Sequence, residues 1–133
     1  TIYCTENYGI QPNIKAIIMT ASVSAHNGAE FPEYCASKGG VLAYTKNVAL
    51  RVAKYGATCN SISAGGVITE LNAHILENKS LWDQVMAETL IPKWATVEEM
   101  AEWTYFLAVV NKSMTAQDVL IDNGEIAKAN FVW

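Results

Sequence analysis

"IKAIIMTA", residues 14–21, is an apolar run with β-branched members. A strand with one wet face alternates apolar and polar residues, whereas a continuous run fits a strand covered on both faces. Working outward, Pro32 to about Tyr55 reads as a long helix. Its apolar positions are Val41, Tyr44, Val48, Leu50 and Val52, with Pro32 in the first turn and Gly56 ending it. "ATCNSIS", 57–63, reads as a second strand, followed by an "AGG" turn. A further helix is expected from Ser80, with Leu81, Trp82, Val85 and Met86 inward. Thr96 and Glu99 have the spacing of a capping box, in which hydroxyl and carboxylate each satisfy an orphan amide. Behind it Met100, Trp103, Leu107 and Val110 form an expected apolar stripe, and "DVLID", 118–122, is a third strand. This order implies an α/β domain with a parallel sheet and right-handed crossovers.

Ligands of such sheets collect beyond the carboxyl ends of the strands. Polar residues stand at all three ends: Thr20 and Ser22, then Ser63, Gly65 and Thr69, then Asp122, Asn123 and Gly124. Composition narrows the classes. The 133 residues suit one domain spanning 1–133. The longest apolar run is far below the ~20 residues of a membrane helix. A net charge of −4, with nine scattered Lys and Arg, gives no reason to expect nucleic acid. Cys4, Cys35 and Cys59 lack ligand spacing and sit among apolar or small neighbours, as buried reduced thiols do. His26 and His74 are isolated, so no metal is expected. The frame is a soluble, cytoplasmic protein.

"EYCASKGG", 33–40, sets a phenol and an ammonium on one helix face, Tyr34 and Lys38. An ammonium nearby favours a phenolate. A hydroxyl such as Ser22 could then hold an oxygen whose charge changes as a proton moves, which suits an alcohol or carbonyl. Serine-hydrolase partners are lacking, and "TASVS" is not a nucleophile elbow. Gly39 and Gly40 each cost about 1 kcal/mol against alanine inside a helix, so something is expected against that backbone.

"IIMTAS", "EYCASKGGVLAYTKNVAL", "GATCNSISAGGVITE" and "DVLIDNGE" together resemble the second half of short-chain dehydrogenase/reductases, over nearly the whole chain. The resemblance implies an incomplete, doubly wound Rossmann-like sheet that binds NAD or NADP. It implies hydride transfer between the nicotinamide and an alcohol or carbonyl carbon. By matching position Tyr34 is the general acid/base, Lys38 holds the nicotinamide ribose and Ser22 positions the substrate oxygen. Gly65, Val67 and Thr69 lie against the carboxamide, residues 70–90 form a substrate lid, and Ser24, Glu30 and Phe31 border the pocket. Full-length relatives pair through the tyrosine-bearing helix, so a homodimer or homotetramer is implied.

Departures accompany these matches. Ala64 stands where the family has proline, and "PKW", 92–94, replaces a longer Pro-Leu-Gly-Arg segment. Ala116 and Asn123 stand where Thr-Gly-Gln and Asp-Gly-Gly carry glycine. No glycine-rich pyrophosphate turn is present, and "TIYCTE", 1–6, resembles the middle of the helix that bears the family's catalytic asparagine. The expectation is a carboxyl-terminal half that neither binds a dinucleotide appreciably nor turns over alone, because the anion site lies in the other half. A dinucleotide sensor or scaffold of the same fold is the alternative, against which intact Ser22, Tyr34 and Lys38 count. A stand-alone structural module is the third, weakened by an uncovered strand edge at 14–21. Among the four tryptophans, Trp103 is expected in the core, while Trp82 and Trp94 are expected to pack beneath the lid.

Overall fold

A computed structural model describes residues 15–29 and 31–128, and every structural statement below concerns those. Three strands, β1 (Ala16–Thr20), β2 (Thr58–Ala64) and β3 (Asp118–Ile121), form one parallel sheet in the order β1-β2-β3. Ala16 pairs with Thr58 and Ser61 with Asp118, so all three strands point their carboxyl ends the same way. The expected α/β architecture is present. Of the expected strand 14–21, residue 14 lies outside the described residues.

The helices are α1 (Ser24–Asn27), α2 (Pro32–Val52), α3 (Ala73–Leu76), α4 (Lys79–Met86) and α5 (Val97–Tyr105). Short 3-10 turns occupy Ala53–Tyr55 and Glu70–Asn72. Pro32 sits in the first turn of α2, and Gly56 closes its end at φ 68°, left-handed as a helix-terminating glycine is. Val48, Ala49 and Val52 of α2 pack on Met19, Ala57 and Cys59, with Ile17, Val41 and Tyr44 at the margin. Leu50 does not join them and is 79% exposed. Two residues along a helix rotate a side chain by about 200°, so Leu50 faces away from the Val48 side. Around Gly39 and Gly40 the expected close neighbour is absent among the described residues, since no atom lies within 4 Å of a Cβ built there.

α4 starts one residue before the expected Ser80, because the Asn78 carboxamide oxygen accepts from Leu81 N at 3.1 Å and caps it. The Thr96–Glu99 capping box is formed as expected. A hydrogen bond from Lys93 and one from the Thr96 amide hold the Glu99 carboxyl below its ordinary value. α5 then widens into a π turn, Phe106–Val110, closed by Asn111 N donating to Phe106 O. Of the expected stripe only Leu107 is fully buried, while Val110, at the end of the π turn, is 52% exposed. Trp103 is not core either. It is 43% exposed and meets Phe106 edge-on, ring centroids 6.2 Å apart.

β3 is locked to β2 by side chains as well as by its ladder. The buried Asn60 carboxamide donates to Met114 O at 2.9 Å and accepts from Gln117 N at 3.1 Å. Cys59 N donates to Thr115 Oγ1 at 3.0 Å, and Ala116 N to Cys59 O at 2.8 Å. The two sequence positions where the family carries glycine, Ala116 and Asn123, have φ of 60° and 53°. Asparagine tolerates that region, but alanine pays a steric cost of about 1–2 kcal/mol there. Cys59 is a buried free thiol as expected, whereas Cys35 is only half-buried and Cys4 lies outside the described residues.

Two predictions follow from this packing. Ala116→Gly relieves the left-handed strain, offset by glycine's greater entropy loss, so the urea midpoint should rise by the equivalent of about 0.5–1 kcal/mol. An unchanged or lower midpoint would show that the turn carries no such strain. Burial pushes the Cys59 thiol from 9.0 up to about 11. A raised value means the native state favours the neutral thiol, so this contribution is intact below pH 9.0 and is lost as pH rises towards about 11. Urea midpoints measured from pH 8 to 11 should therefore fall less steeply for Cys59→Ala than for the parent; parallel curves would refute the assignment.

Candidate active site

The parallel ladder continues past the end of β1. Ala21 N donates to Ile62 O at 2.8 Å and Val23 N to Ala64 O at 3.0 Å. Between them lies Ser22, 6% exposed, whose Oγ donates to Ser24 Oγ at 3.1 Å and accepts from Ser24 N at 3.2 Å. α2 starts across from this strand end and brings Tyr34 and Lys38 with it. The Lys38 ammonium lies 5.5 Å from the Tyr34 ring centroid and donates to Thr20 O at 3.0 Å. One cation thus spans the terminal carbonyl of β1 and the phenol ring. Tyr34 itself is 41% exposed, open to whatever enters.

A cleft of about 720 Å³ gathers all six residues singled out in sequence: Ser22, Tyr34, Lys38, Gly65, Val67 and Thr69. Its floor is the strand ends. Its far wall belongs to 70–90, through Leu71, Ile75, Val85 and Glu88. Phe31 and Ser24 border it as expected, whereas Glu30 lies outside the described residues. His74 is exposed, on the outer side of α3.

The glycines of the "AGG" turn have a reason within the chain itself. A Cβ on Gly65 would meet the Asp122 backbone at 2.9 Å, and one on Gly66 would meet the Trp94 ring at 2.0 Å. Trp94, 9% exposed, stands edge-on to Trp82 of α4 at 5.4 Å; Trp82 thus lies within 70–90 and not beneath it, and Trp94 lines the cleft as well as packing against that segment. Asp122, 7% exposed, accepts from Gly124 N at 2.9 Å and Ile126 N at 3.0 Å, which folds the chain after β3 against Gly65.

Two contributors escaped the sequence reading. The Asn72 carboxamide donates to Val67 O at 2.8 Å and reaches Thr69 Oγ1 at 3.4 Å, pinning the turn that presents Thr69. The spacing of Thr69 and Asn72 in "ITELN" is the local signal that could have revealed it. His26 is not isolated: its Nε2 lies 2.9 Å from Asp118 Oδ2 and 3.1 Å from Ser63 Oγ. No local spacing announces a contact between residues so far apart in sequence.

An ammonium, a phenol and two hydroxyls, from Ser22 and Thr69, thus line an open cleft at the strand ends. That donor set fits the ribose and carboxamide of a nicotinamide nucleotide. Among the described residues no helix is long and apolar enough to cross a membrane.

Comparison with known proteins agrees with this architecture. A family profile described as enoyl-(acyl carrier protein) reductase matches residues 5–125. A 3-oxoacyl-(acyl-carrier-protein) reductase of Chlamydia pneumoniae is 31% identical over 131 residues, covering 93% of this chain and 52% of that protein. An L-rhamnose 1-dehydrogenase (NADP(+)) of Thermoplasma acidophilum is 28% identical over 110 residues, covering 81% and 43%. The structure of a 4-hydroxyisoleucine dehydrogenase complexed with NADH superposes with a TM-score of 0.85 at 25% identity, covering 96% of this chain and 54% of that one. The chain spans about half the length of the curated relatives it matches. The sheet is thus the Rossmann-like α/β sheet of these neighbours, and the chain belongs to the short-chain dehydrogenase/reductase family.

Proposed function

We propose that this chain supplies the proton-transfer side of an NAD(P)-dependent oxidoreductase acting on an alcohol or carbonyl compound. The observation that carries this reading is the convergence of Ser22, Tyr34 and Lys38 on one cleft with Gly65, Val67 and Thr69. The relative named for NADP(+), and the neighbour bound to NADH, support the cofactor class. A bound nicotinamide supplies or accepts the hydride.

The chain's own residues manage the oxygen. In oxidation, the Tyr34 phenolate takes the hydroxyl proton of the alcohol as hydride leaves its carbon; in reduction, the phenol returns that proton to the carbonyl oxygen. Ser22 Oγ holds the same oxygen by a hydrogen bond. Lys38 sets its positive charge 5.5 Å from the Tyr34 ring centroid, and its ammonium is available to a ribose hydroxyl. Thr69 and the Gly65–Val67 backbone meet the carboxamide. Leu71, Ile75 and Val85 close the cleft from the lid side, excluding water from the transfer.

In the whole protein, Tyr34→Phe keeps the ring but removes the proton carrier, so turnover should fall roughly 10²–10⁴-fold while the fold is unchanged by circular dichroism. Lys38→Met should weaken dinucleotide affinity as well as turnover. A Tyr34→Phe variant that keeps most of its activity would end this reading.

The whole protein is further proposed to be a homodimer or homotetramer. What supports this is the outer face of α2, where Leu50 is 79% exposed and Gly39 and Gly40 are open. Sedimentation at micromolar concentration should give a species larger than one chain; a strict monomer would contradict it.

A further inference from the structure

α1 is a single turn, and its N-terminus has no side-chain cap. One isolated turn has little stability of its own, so its orientation must come from elsewhere. Its first residue, Ser24, is 3% exposed and exchanges two hydrogen bonds with Ser22, through Ser24 N at 3.2 Å and Ser24 Oγ at 3.1 Å. The backbone around Ser22 is already pinned to β2 by Ala21 N and Val23 N. What remains to be set is the place of Ser22 Oγ, and Ser24 sets it.

Two residues beyond Ser24, His26 reaches over the sheet. Its Nε2 lies 2.9 Å from Asp118 Oδ2 on β3 and 3.1 Å from Ser63 Oγ on β2. The other Asp118 oxygen accepts from Ser61 Oγ at 2.5 Å, so the carboxylate is itself held from β2. An ionised carboxylate only accepts, so His26 Nε2 carries the proton in this pair whether the ring is neutral or cationic. Residues from all three strands or their ends are thereby joined: β3 through Asp118, β2 through Ser61 and Ser63, and the chain leaving β1 through His26. Ser61 and Ser63 are almost wholly buried, which makes this anchor rigid on the sheet side.

We propose that His26 is a positioning residue for Ser22. It fixes α1 against β2 and β3, α1 fixes Ser24, and Ser24 N holds Ser22 Oγ in place; when a substrate oxygen arrives, the Ser22 O–H turns from Ser24 Oγ to donate to it, and the Ser24 O–H donates to Ser22 Oγ instead. The inference rests on the reading of Ser22 as the group that holds that oxygen.

The test uses the whole protein with a secondary alcohol or ketone that it turns over. His26→Leu keeps bulk but removes the donor, and should lower kcat by roughly 10-fold with dinucleotide KM unchanged, less than the ~10² that a 1 Å misplacement costs. His26→Gln retains an N–H able to reach Asp118 and should restore kcat to within about 3-fold of the parent. In a Ser22→Ala background, His26→Leu should cost nothing further, because residues acting through one another are not additive. Additive losses, or a glutamine variant no better than leucine, would overturn the proposal. If His26→Leu does not fold, His26→Asn, polar but one bond too short to reach Asp118, carries the same comparison in the two backgrounds and should likewise lower kcat only where Ser22 is present. Should Ser22→Ala leave activity unchanged, the role of Ser22 fails, and this inference fails with it. An inactive Ser22→Ala beside a fully active His26→Leu would sink the positioning role alone.

Discussion

The register between β1 and β2 is the constraint on which the cleft depends. Thr20 opposite Ile62 continues without a slip into the bonds from Ala21 N and Val23 N. Because side chains alternate along a strand, a one-residue shift would turn Met19 away from α2 and move Ser22 out of the cleft. The core and the site are therefore specified together: Met19 and Cys59 beneath Val48 and Val52 hold the register, and the register holds Ser22 beside Gly65. The Thr20 carbonyl, left over where the strand ends, becomes the acceptor for Lys38. A terminal backbone group that needs a partner and a cation that needs a fixed place satisfy one another.

The carboxyl-terminal part of the sheet solves a different problem. β2 is rich in small polar residues, with Asn60, Ser61 and Ser63 all essentially buried. Buried polar groups without partners each cost about 1–3 kcal/mol, so their partners decide whether this strand can be central. Asn60 serves the Met114–Gln117 turn and Ser61 serves Asp118, while Ser63 meets His26. Among the described residues Thr58 Oγ1 alone is a buried side-chain atom with no partner. Polar satisfaction across β2 is thus directional: it ties β3 on one side and α1 on the other into the same network.

What could be read in the sequence was local. Apolar runs located β1 and β3, β2 was placed between Gly56 and the "AGG" turn, and the Thr96–Glu99 spacing located a helix start, because each depends on residues within a few positions. The six residues proposed for the site came from short motifs and the resemblance those motifs carry, and the fold brings all six to one cleft. The failures share a cause as well. Trp103 and Val110 follow a helical period, yet both are exposed, because a helical period alone does not say what packs against the face it marks. Gly39 and Gly40 suggested a close neighbour, yet nothing in the described residues approaches them. Gly66, by contrast, is explained by the Trp94 ring, a contact no spacing predicts. His26 and Asp118 looked unrelated because only the folded sheet brings them together.

The two walls of the cleft differ in how firmly they are held. The floor belongs to β1, β2 and the buried side of α2, where Thr45, Val48, Ala49 and Val52 are buried. On the lid side, the Glu70–Asn72 turn, α3 and α4 contain no buried residue, and Leu71 is 85% exposed. Segments with little buried apolar surface open at low free-energy cost. The lid is nevertheless anchored at both ends: Asn72 holds Val67 at its start, and Asn123 O accepts from Leu90 N and Ile91 N at its finish. A segment fixed at its ends and lightly packed between them can move without disturbing the strand ends. Ser22, Tyr34 and Lys38 can therefore stay in register while the apolar wall of Leu71, Ile75 and Val85 moves.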